Sequence, residues 1–154
     1  MLIPRPSLLL AVVALFMPHV AKAECIVAPP SFFAEHSSVV FSGTVMRVDP
    51  VDASARTNGR AQFVTFDVDR VWKGEVPRQF NLYSFTRSFE RYPLQAGTRY
   101  LVFAHTPTEE ERTDLNLGQR QTVVIGQCGD GTKQFTEISL QELAELGPGA
   151  APRR

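Results

Sequence analysis

The stretch QFVTFDVDRVW, residues Gln62 to Trp72, alternates apolar and polar side chains over most of its length. Val64, Phe66 and Val68 face one way, and the polar residues between them face the other. A period of two residues is typical of a β-strand that buries one face and exposes the other in an antiparallel sheet. This stretch therefore predicts a mainly β protein with its core on one side of the strand.

Four further stretches predict strands, because they are rich in β-branched and aromatic residues and are bounded by turn residues. Gly43 lies within the first of them and predicts a bend or bulge. The third is apolar on both faces, as expected for a central strand. The four stretches are Val39 to Val48, Arg78 to Phe85, Arg99 to His105 and Gln121 to Gln127.

One short helix is predicted on each side of the strands. The segment Phe32 to Ser37 follows Ser31, which is suited to the N-cap position. The segment Ser139 to Leu146 begins with the capping-box pattern S-x-x-E and ends before Gly147. No alternation of strands and helices suggests parallel crossovers, so the strands predict a small, closed or partly open antiparallel barrel.

The second of these helices carries an apolar stripe. Leu140, Leu143 and Leu146 lie three residues apart, a spacing that places them near one helix face. We expect this stripe to pack on the sheet. Residues 148–154 are predicted to form a frayed, disordered tail after the helix.

The composition excludes several classes of protein. The 154 residues are 44% hydrophobic and 21% charged, which is typical of a globular domain. The 16 basic residues equal the 16 acidic ones, so a basic patch for nucleic acid is disfavoured. Two cysteines are too few for a disulfide-dense miniprotein or a zinc site of four thiolates. No apolar run reaches the roughly 18 residues that span a bilayer.

Residues 1–23 predict a secretory signal peptide. Arg5 supplies the positive charge, Leu8 to Met17 the apolar core, and Ala21 to Ala23 an A-x-A cleavage site. Cys25 also suggests a lipoprotein, but a lipobox is disfavoured because Glu24, not a small residue, precedes it. The mature chain is therefore predicted to be secreted or periplasmic, with one domain over residues 24–147.

Several strings of sequence then form one pattern along the mature chain. They are V-F-S-G-T-V from Val40, F-D-V from Phe66, V-W-K-G from Val71 and G-T-R-Y-L-V-F-A from Gly97. Cys25 precedes them and Cys128 follows them. Together they resemble the bacterial relatives of the tissue inhibitors of metalloproteinases, over nearly all of residues 24–147. The resemblance implies a netrin-like module, a five-stranded antiparallel OB-type barrel with a short N-terminal helix and a C-terminal helix.

The resemblance also implies how the cysteines pair, and here the chain departs from the family. Family members begin with Cys-x-Cys, but Val27 stands at the second position, and the family's middle cysteine before Gly97 is absent. In the family the first cysteine pairs with the middle one and the second with the late one. This chain keeps one member of each pair, so we predict a Cys25–Cys128 disulfide in the oxidising compartment.

The function implied by the resemblance is binding through the N-terminal segment. In the animal inhibitors, the amine and carbonyl of the N-terminal cysteine chelate the zinc of the target protease. Signal-peptide cleavage leaves Glu24 as the first residue, which offers an amine, a carbonyl and a carboxylate. The predicted partner-binding ridge is therefore Glu24, Cys25, Ile26 and Val27, with a secreted zinc metalloprotease as the candidate partner. The alternative is a structural, adhesion or envelope accessory module that inhibits no protease.

No catalytic, cofactor or metal site is predicted, and the chain is not expected to be an enzyme. Strings such as G-x-S-x-G and H-E-x-x-H do not occur. His36 and His105 have no partner nearby in the sequence. Pro107 to Arg112 predicts a charged, solvated loop and not a calcium site. Trp72 is expected to fill the core or a barrel end, without a ligand role.

Overall fold

The structure, a computed structural model, describes residues 28–51, 61–85, 94–125 and 131–154. The predicted signal peptide, the ridge residues Glu24 to Val27 and both cysteines lie outside these residues, so the disulfide stays a prediction. The described elements, in chain order, are α1 (Pro30–His36), β1 (Val39–Val51), β2 (Ala61–Lys73), β3 (Gln79–Phe85), β4 (Arg99–Ala104), α2 (Glu109–Asp114), β5 (Val124–Ile125), β6 (Thr132–Gln134), a 3-10 helix (Phe135–Glu137) and α3 (Leu140–Leu146).

β1 and β2 are antiparallel neighbours of 13 residues each at the centre of the sheet. On β2, Val64, Phe66 and Val68 are buried, while Thr65 and Asp67 between them are only partly buried. The alternation predicted for this strand is therefore confirmed. β4 is also confirmed as a central strand, because it lies between β1 and β6 and all but its first residue are buried.

The described strands form one curled, mixed sheet of six strands, a half-barrel with the order β5-β3-β2-β1-β4-β6. Two parts of the barrel prediction are wrong, since six strands and not five are present and β3 pairs with β5 in parallel. The physical reason is that β4 and α2 separate β3 from β5 in the chain. This long connection returns the chain in the same direction, which a tight hairpin cannot do.

Irregular pairing between β1 and β2 curls the sheet. The register shifts at three points, between Val40 and Phe41, between Ser42 and Gly43, and between Val45 and Arg47. A Cβ atom on Gly43 would lie 2.8 Å from the backbone oxygen of Asp67. The bend predicted at Gly43 is confirmed, because such irregularities increase strand twist and here the two backbones approach too closely for a side chain.

The main core lies on the inner face of the sheet. Phe41 packs edge to face against Phe66 and Phe80, with ring centroids 5.2 and 5.5 Å apart. A second cluster covers the outer face of β3 and β5, where Leu115 and Leu117 after α2 contact neighbouring apolar residues. A third cluster lies under α1, the 3-10 helix and α3, around Val40, Leu101 and Phe103.

The segment predicted as the charged loop Pro107 to Arg112 forms α2 in part. Thr108 and Glu111 make a capping box at its start, and Glu111 and Asp114 are buried. The loop prediction is wrong because the run of glutamates includes the N3 residue of a T-x-x-E cap. The acidic residues in this first turn also lie near the positive end of the helix dipole.

α3 is confirmed with the predicted Ser139–Glu142 capping box. The predicted stripe is only partly correct. Leu146 packs on the third cluster, whereas Leu140 is 86% exposed. Leu140 is the first residue of this seven-residue helix, none of whose residues is fully buried.

The C-terminal residues, predicted to fray, make main-chain hydrogen bonds instead. Val71 and Ala150 exchange two bonds of 2.8 and 2.7 Å, and Arg153 bonds to Val76 and Arg78. Backbone groups beside a strand end are unpaired donors and acceptors, and the tail pairs with them. In the part of the chain that the structure describes, no helix is both long and apolar enough to cross a membrane.

Candidate functional site

The predicted ridge, Glu24 to Val27, lies outside the described residues, and the structure describes the chain that follows it. The described chain begins at Ala28, and α1 begins two residues later at Pro30, which is buried. The Phe32 amide donates to the Pro29 carbonyl at 3.0 Å. Proline at the first helical position is favoured because its φ angle is already helical. The chain therefore enters α1 at a fixed point.

Side chains hold the other end of α1 through its unpaired carbonyls. The Ser37 hydroxyl donates to the Phe33 carbonyl at 2.7 Å. The Lys73 ammonium donates to the carbonyls of Ala34 and Glu35, both at 2.9 Å. The last carbonyls of a helix lack partners within the helix, and a cation there also meets the negative end of the helix dipole. Lys73 thus attaches α1 to the end of β2.

Packing also holds α1 against the sheet and against α3. The Phe33 ring lies 5.9 Å from the ring of Phe103 on β4, measured between centroids. The Ser31 hydroxyl donates to a carboxylate oxygen of Glu145 on α3 at 3.4 Å. On the solvent side, Phe32 is 40% exposed and stacks with His36 at 4.6 Å. One face of α1 is therefore anchored, and the other remains exposed beside the chain entry.

The segment Val71 to Gly74, named here the β2 corner, contacts both α1 and the end of α3. The Trp72 indole N–H donates to the Gly147 carbonyl at the end of α3, at 2.8 Å. Its ring is partly buried and packs on the third apolar cluster. The geometry agrees with the structural role expected for Trp72, and its polar N–H joins the sheet to α3.

Gly74 completes the β2 corner because its backbone requires glycine. Its φ angle is +80°, in the left-handed region, where an L side chain is strained. A Cβ atom there would lie 2.8 Å from Cγ1 of Val39 and 2.9 Å from the Ser38 oxygen. The β2 corner therefore lies directly against the connection between α1 and β1.

A polar seam crosses three strands beside the third cluster. The buried Ser42 hydroxyl donates to Asp69 at 2.6 Å, and Arg99 forms an ion pair with the other carboxylate oxygen of Asp69. The Arg99 guanidinium carbon lies 3.5 Å from the centroid of the Phe135 ring, in cation–π geometry. The seam joins β1, β2, β4 and the 3-10 helix, and its contacts provide the buried Ser42 hydroxyl with a hydrogen-bond acceptor.

A second polar cluster lies at the start of α2. Both carboxylate oxygens of buried Glu111 lie 3.0 Å from Nε2 of His105, which therefore carries the proton and donates. Burial raises the pKa of the Glu111 carboxyl and is the largest single influence. Hydrogen bonds from His105 and Thr108 together outweigh it, so the pKa lies below its ordinary value of 4.5. Glu111 is ionised at neutral pH and links β4 to α2.

The carboxylate of Glu142 on α3 has a similar pair of partners at the protein surface. Lys133 on β6 donates to it at 2.6 Å, and the Ser139 amide donates at 2.8 Å. The hydrogen bond from Lys133 is the largest influence, and together these contacts lower the pKa of Glu142 to about 2. This carboxylate joins α3 to the edge strand β6.

The two described histidines, His36 and His105, are candidate metal ligands by residue type. Within the described ranges, no three His, Cys, Asp or Glu side chains are grouped so that they could hold a metal ion. His36 Nδ1 donates to the Phe32 carbonyl at 2.9 Å, and His105 donates to Glu111. Each described histidine therefore has a structural hydrogen bond.

Sequence reasoning missed the polar contacts that hold the helices. The T-x-x-E pattern at Thr108 is a signal that could have identified α2 and its buried glutamate. The contacts of Lys73 and Arg99 had no such signal, because their partners lie 38 and 30 residues away. Which side chains meet over such distances along the chain depends on the register of the strands, and the bulges of β1 shift this register.

The candidate site is thus the N-terminal edge: the chain entry at Ala28 to Pro30, helix α1 and the β2 corner that holds it. Its described part offers a fixed base for the segment that precedes it. The chain matches no family model, and no curated protein is significantly similar to it in sequence.

Proposed function

We propose that this chain is a secreted or periplasmic netrin-like binding protein that contacts a protein partner through the ridge Glu24 to Val27. A secreted zinc metalloprotease is the partner that the sequence resemblance favours. The observation that carries the proposal is the anchoring of α1 by Lys73, Ser37 and Phe33. The ridge lies immediately before this anchored helix in the chain.

The sheet supports an OB-type barrel as the scaffold of such a module. β5 pairs with β3 in parallel and also reaches the end of β4, where His105 and Val124 exchange hydrogen bonds of 3.0 and 2.9 Å. β5 thus contacts both β3 and the end of β4, which flank the two central strands β2 and β1. A curled half-barrel of this kind would give the N-terminal edge a rigid base.

Anchoring favours binding because it lowers the ordering cost of association. Each side chain immobilised on binding costs about 0.5–1.5 kcal/mol, and a segment that is already held loses less freedom. Pro30 is buried and follows Val27 by three residues in the chain, so the proposed ridge is connected to a fixed point. The proposed Cys25–Cys128 disulfide would hold the same segment from a second point.

In the inhibitor version, the first residue would reach the zinc ion of the protease. Cleavage after Ala23 gives Glu24 a free amine, which coordinates zinc through its lone pair together with the neighbouring carbonyl. The Glu24 carboxylate supplies a further oxygen ligand of a type that zinc accepts. This chemistry requires a free amine at Glu24, because an amide nitrogen within a peptide is a poor ligand.

The test is an inhibition assay of the exported, mature protein against a panel of secreted zinc endopeptidases. Intact mass first verifies that Glu24 is the first residue. The acetylated protein and a variant with one alanine added before Glu24 serve as matched forms that lack the free amine at this position. We expect the mature protein to inhibit and both blocked forms to lose inhibition.

Inhibition that survives both blocks contradicts zinc chelation by the amine and leaves binding through another contact. If no protease is inhibited, the inhibitor version is wrong and the alternative is the structural, adhesion or envelope accessory module. Ellman titration of the denatured, unreduced protein tests the disulfide separately. Two free thiols would refute it.

A further inference from the structure

Successive residues of the β2 corner hold three different parts of the chain: the C-terminal segment, α3 and α1. We infer that the β2 corner couples the C-terminal segment to the N-terminal helix, and that Lys73 is the residue that positions α1. The coupling is a property of the free protein. Its consequence for partner binding rests on the proposed function.

Val71 holds the C-terminal segment. Its amide donates to the Ala150 carbonyl at 2.8 Å, and the Ala150 amide donates back at 2.7 Å. The same segment continues along the turn after β2, where the Arg153 amide donates to Val76 and the Arg78 amide donates to Arg153. An ion pair between Arg153 and Glu75 lies beside these bonds. The backbone is therefore held on both sides of residues 72–74.

Trp72 holds the end of α3 through the Gly147 carbonyl. The next residues of the C-terminal segment follow at once, and a Cβ atom on Gly149 would lie 3.2 Å from the Trp72 ring. The end of α3 and the segment after it thus contact one aromatic side chain. Movement of this segment would change the surroundings of Trp72 directly.

Lys73 holds the end of α1 through two carbonyls. Its backbone is continuous with Trp72, and Gly74 beside it lies against Ser38 and Val39, which follow α1. None of the hydrogen bonds made by the described residues joins α1 to residues 148–154. A loss of the C-terminal segment can therefore reach α1 by two routes: through the β2 corner, or through α3, whose Glu145 accepts a hydrogen bond from Ser31. Variants of Lys73 separate the two routes, because only the first passes through this residue.

The first experiment measures amide hydrogen exchange in the mature protein and in K73M, which keeps an unbranched chain but lacks the charge and the donors. We expect exchange within α1 to become about five- to tenfold faster, since a bond from a charged donor is lost, while the central sheet is unchanged. K73R keeps the charge and the donors and should restore slow exchange. R47M removes an exposed cation of β1 whose ion pair is with Asp49, and should have no effect there.

The second experiment removes residues 148–154 from the wild type and from K73M. Coupling through the β2 corner predicts faster exchange in α1 after truncation of the wild type and no further increase in K73M, because the link is already broken. Equal increases in both backgrounds, or no change in α1, would overturn the coupling. If the truncated chain does not fold, A150P removes the Ala150 donor while keeping the C-terminal segment, and provides the same comparison.

The coupling and the proposed function can fail separately. Hydrogen exchange in the free protein decides the coupling without any partner. If a protease is inhibited, K73M should weaken inhibition and K73R should restore it. Unchanged inhibition by K73M, with faster exchange in α1, would show that Lys73 holds the helix but does not position the ridge.

Discussion

Two helices of this protein begin with the same capping box, one near the buried end of β4 and the other at the surface. In α2 the Glu111 amide donates to Thr108 at 3.2 Å, and the Thr108 amide donates to Glu111 at 2.8 Å. In α3 the bonds between Ser139 and Glu142 have the same two lengths. The glutamate side chains differ in exposure, 7% for Glu111 against 27% for Glu142.

The same local motif, the capping box, thus supports two kinds of contact. Glu111 turns inwards to His105, so its charge is buried and depends on its hydrogen bonds. Glu142 turns outwards to Lys133, where water can replace either partner. A buried charge that loses its partner is costly, whereas an exposed pair contributes little net stability. We therefore expect the two ends of the molecule to respond differently to the same changes.

The largest effect is expected from E111A. E111A removes a buried, hydrogen-bonded carboxylate and leaves the Thr108 amide and the partly exposed His105 ring without their acceptor, so we expect a loss of about 1–3 kcal/mol in the free energy of unfolding. E142A should cause a clearly smaller loss. Urea denaturation at neutral pH, followed by circular dichroism, measures both. E109A, on an exposed position of α2, is the matched control.

Equal losses in E111A and E142A would contradict the role of burial. A large effect of E109A would indicate that the helix propensity of α2, and not the buried carboxylate, governs stability at this end.

The next effect tests the β2 corner, where backbone packing and not a carboxylate holds the helices. Gly74 and Gly97 have nearly the same positive φ, +80° and +82°, but a Cβ atom would meet neighbouring atoms within 4 Å only at Gly74. Both alanine variants therefore carry the backbone strain, and only G74A adds a steric clash. We expect G74A to be less stable than G97A by about 1–2 kcal/mol. Equal stability of the two variants in thermal and urea denaturation would contradict the close approach at the β2 corner.

Acid should separate the two capping boxes further. Both glutamates have a folded pKa below the ordinary 4.5, so their contribution is present above that pH and is lost as pH falls through the folded pKa. For Glu142 this loss extends down to about pH 2. E111Q and E142Q should each flatten part of the acid dependence of the free energy of unfolding, measured by urea denaturation across this range.

Salt distinguishes the two contributions. At about 1 M salt the Debye length is about 3 Å, so the exposed Lys133–Glu142 pair is screened while the buried Glu111 contacts are not. We expect high salt to reduce the effect of E142Q on the acid dependence and to leave that of E111Q. If high salt instead reduced the effect of E111Q and left that of E142Q, the difference in burial between the two carboxylates would not explain their behaviour.

The comparison also shows which features the sequence could predict. Strand β2 was predictable because Val64, Phe66 and Val68 follow the period of a half-buried strand. α3 was predictable from its capping box and its final glycine. The same pattern at Thr108 was obscured by three consecutive glutamates, which indicated a solvated loop. Local signals such as strand period and capping boxes therefore identified elements, except where a run of charged residues indicated a loop.

Contacts between distant elements could not be predicted in this way. Ser42 meets Asp69 and Arg99 only because bulges in β1 set the register, and Lys73 meets α1 only once the helix lies on the sheet. The parallel pairing of β5 likewise depends on how the chain returns after α2. The base of the candidate site is built from such contacts, whereas its proposed ridge was inferred from the resemblance alone.

The smallest effect is expected where the two capping boxes are most alike. The side chains of Thr108 and Ser139 are both exposed, and each accepts one amide hydrogen bond of 3.2 Å. T108A and S139A should each lower the free energy of unfolding by about 1 kcal/mol and agree within a few tenths, because each loses the N-cap acceptor together with the hydroxyl's hydrogen bond to the glutamate of its box. Paired urea denaturation of the two variants measures this difference. If T108A were less stable than S139A by more than about 1 kcal/mol, Thr108 and Glu111 would act together as one buried network. Burial of the Glu111 carboxylate alone would then not explain why the two capping boxes differ.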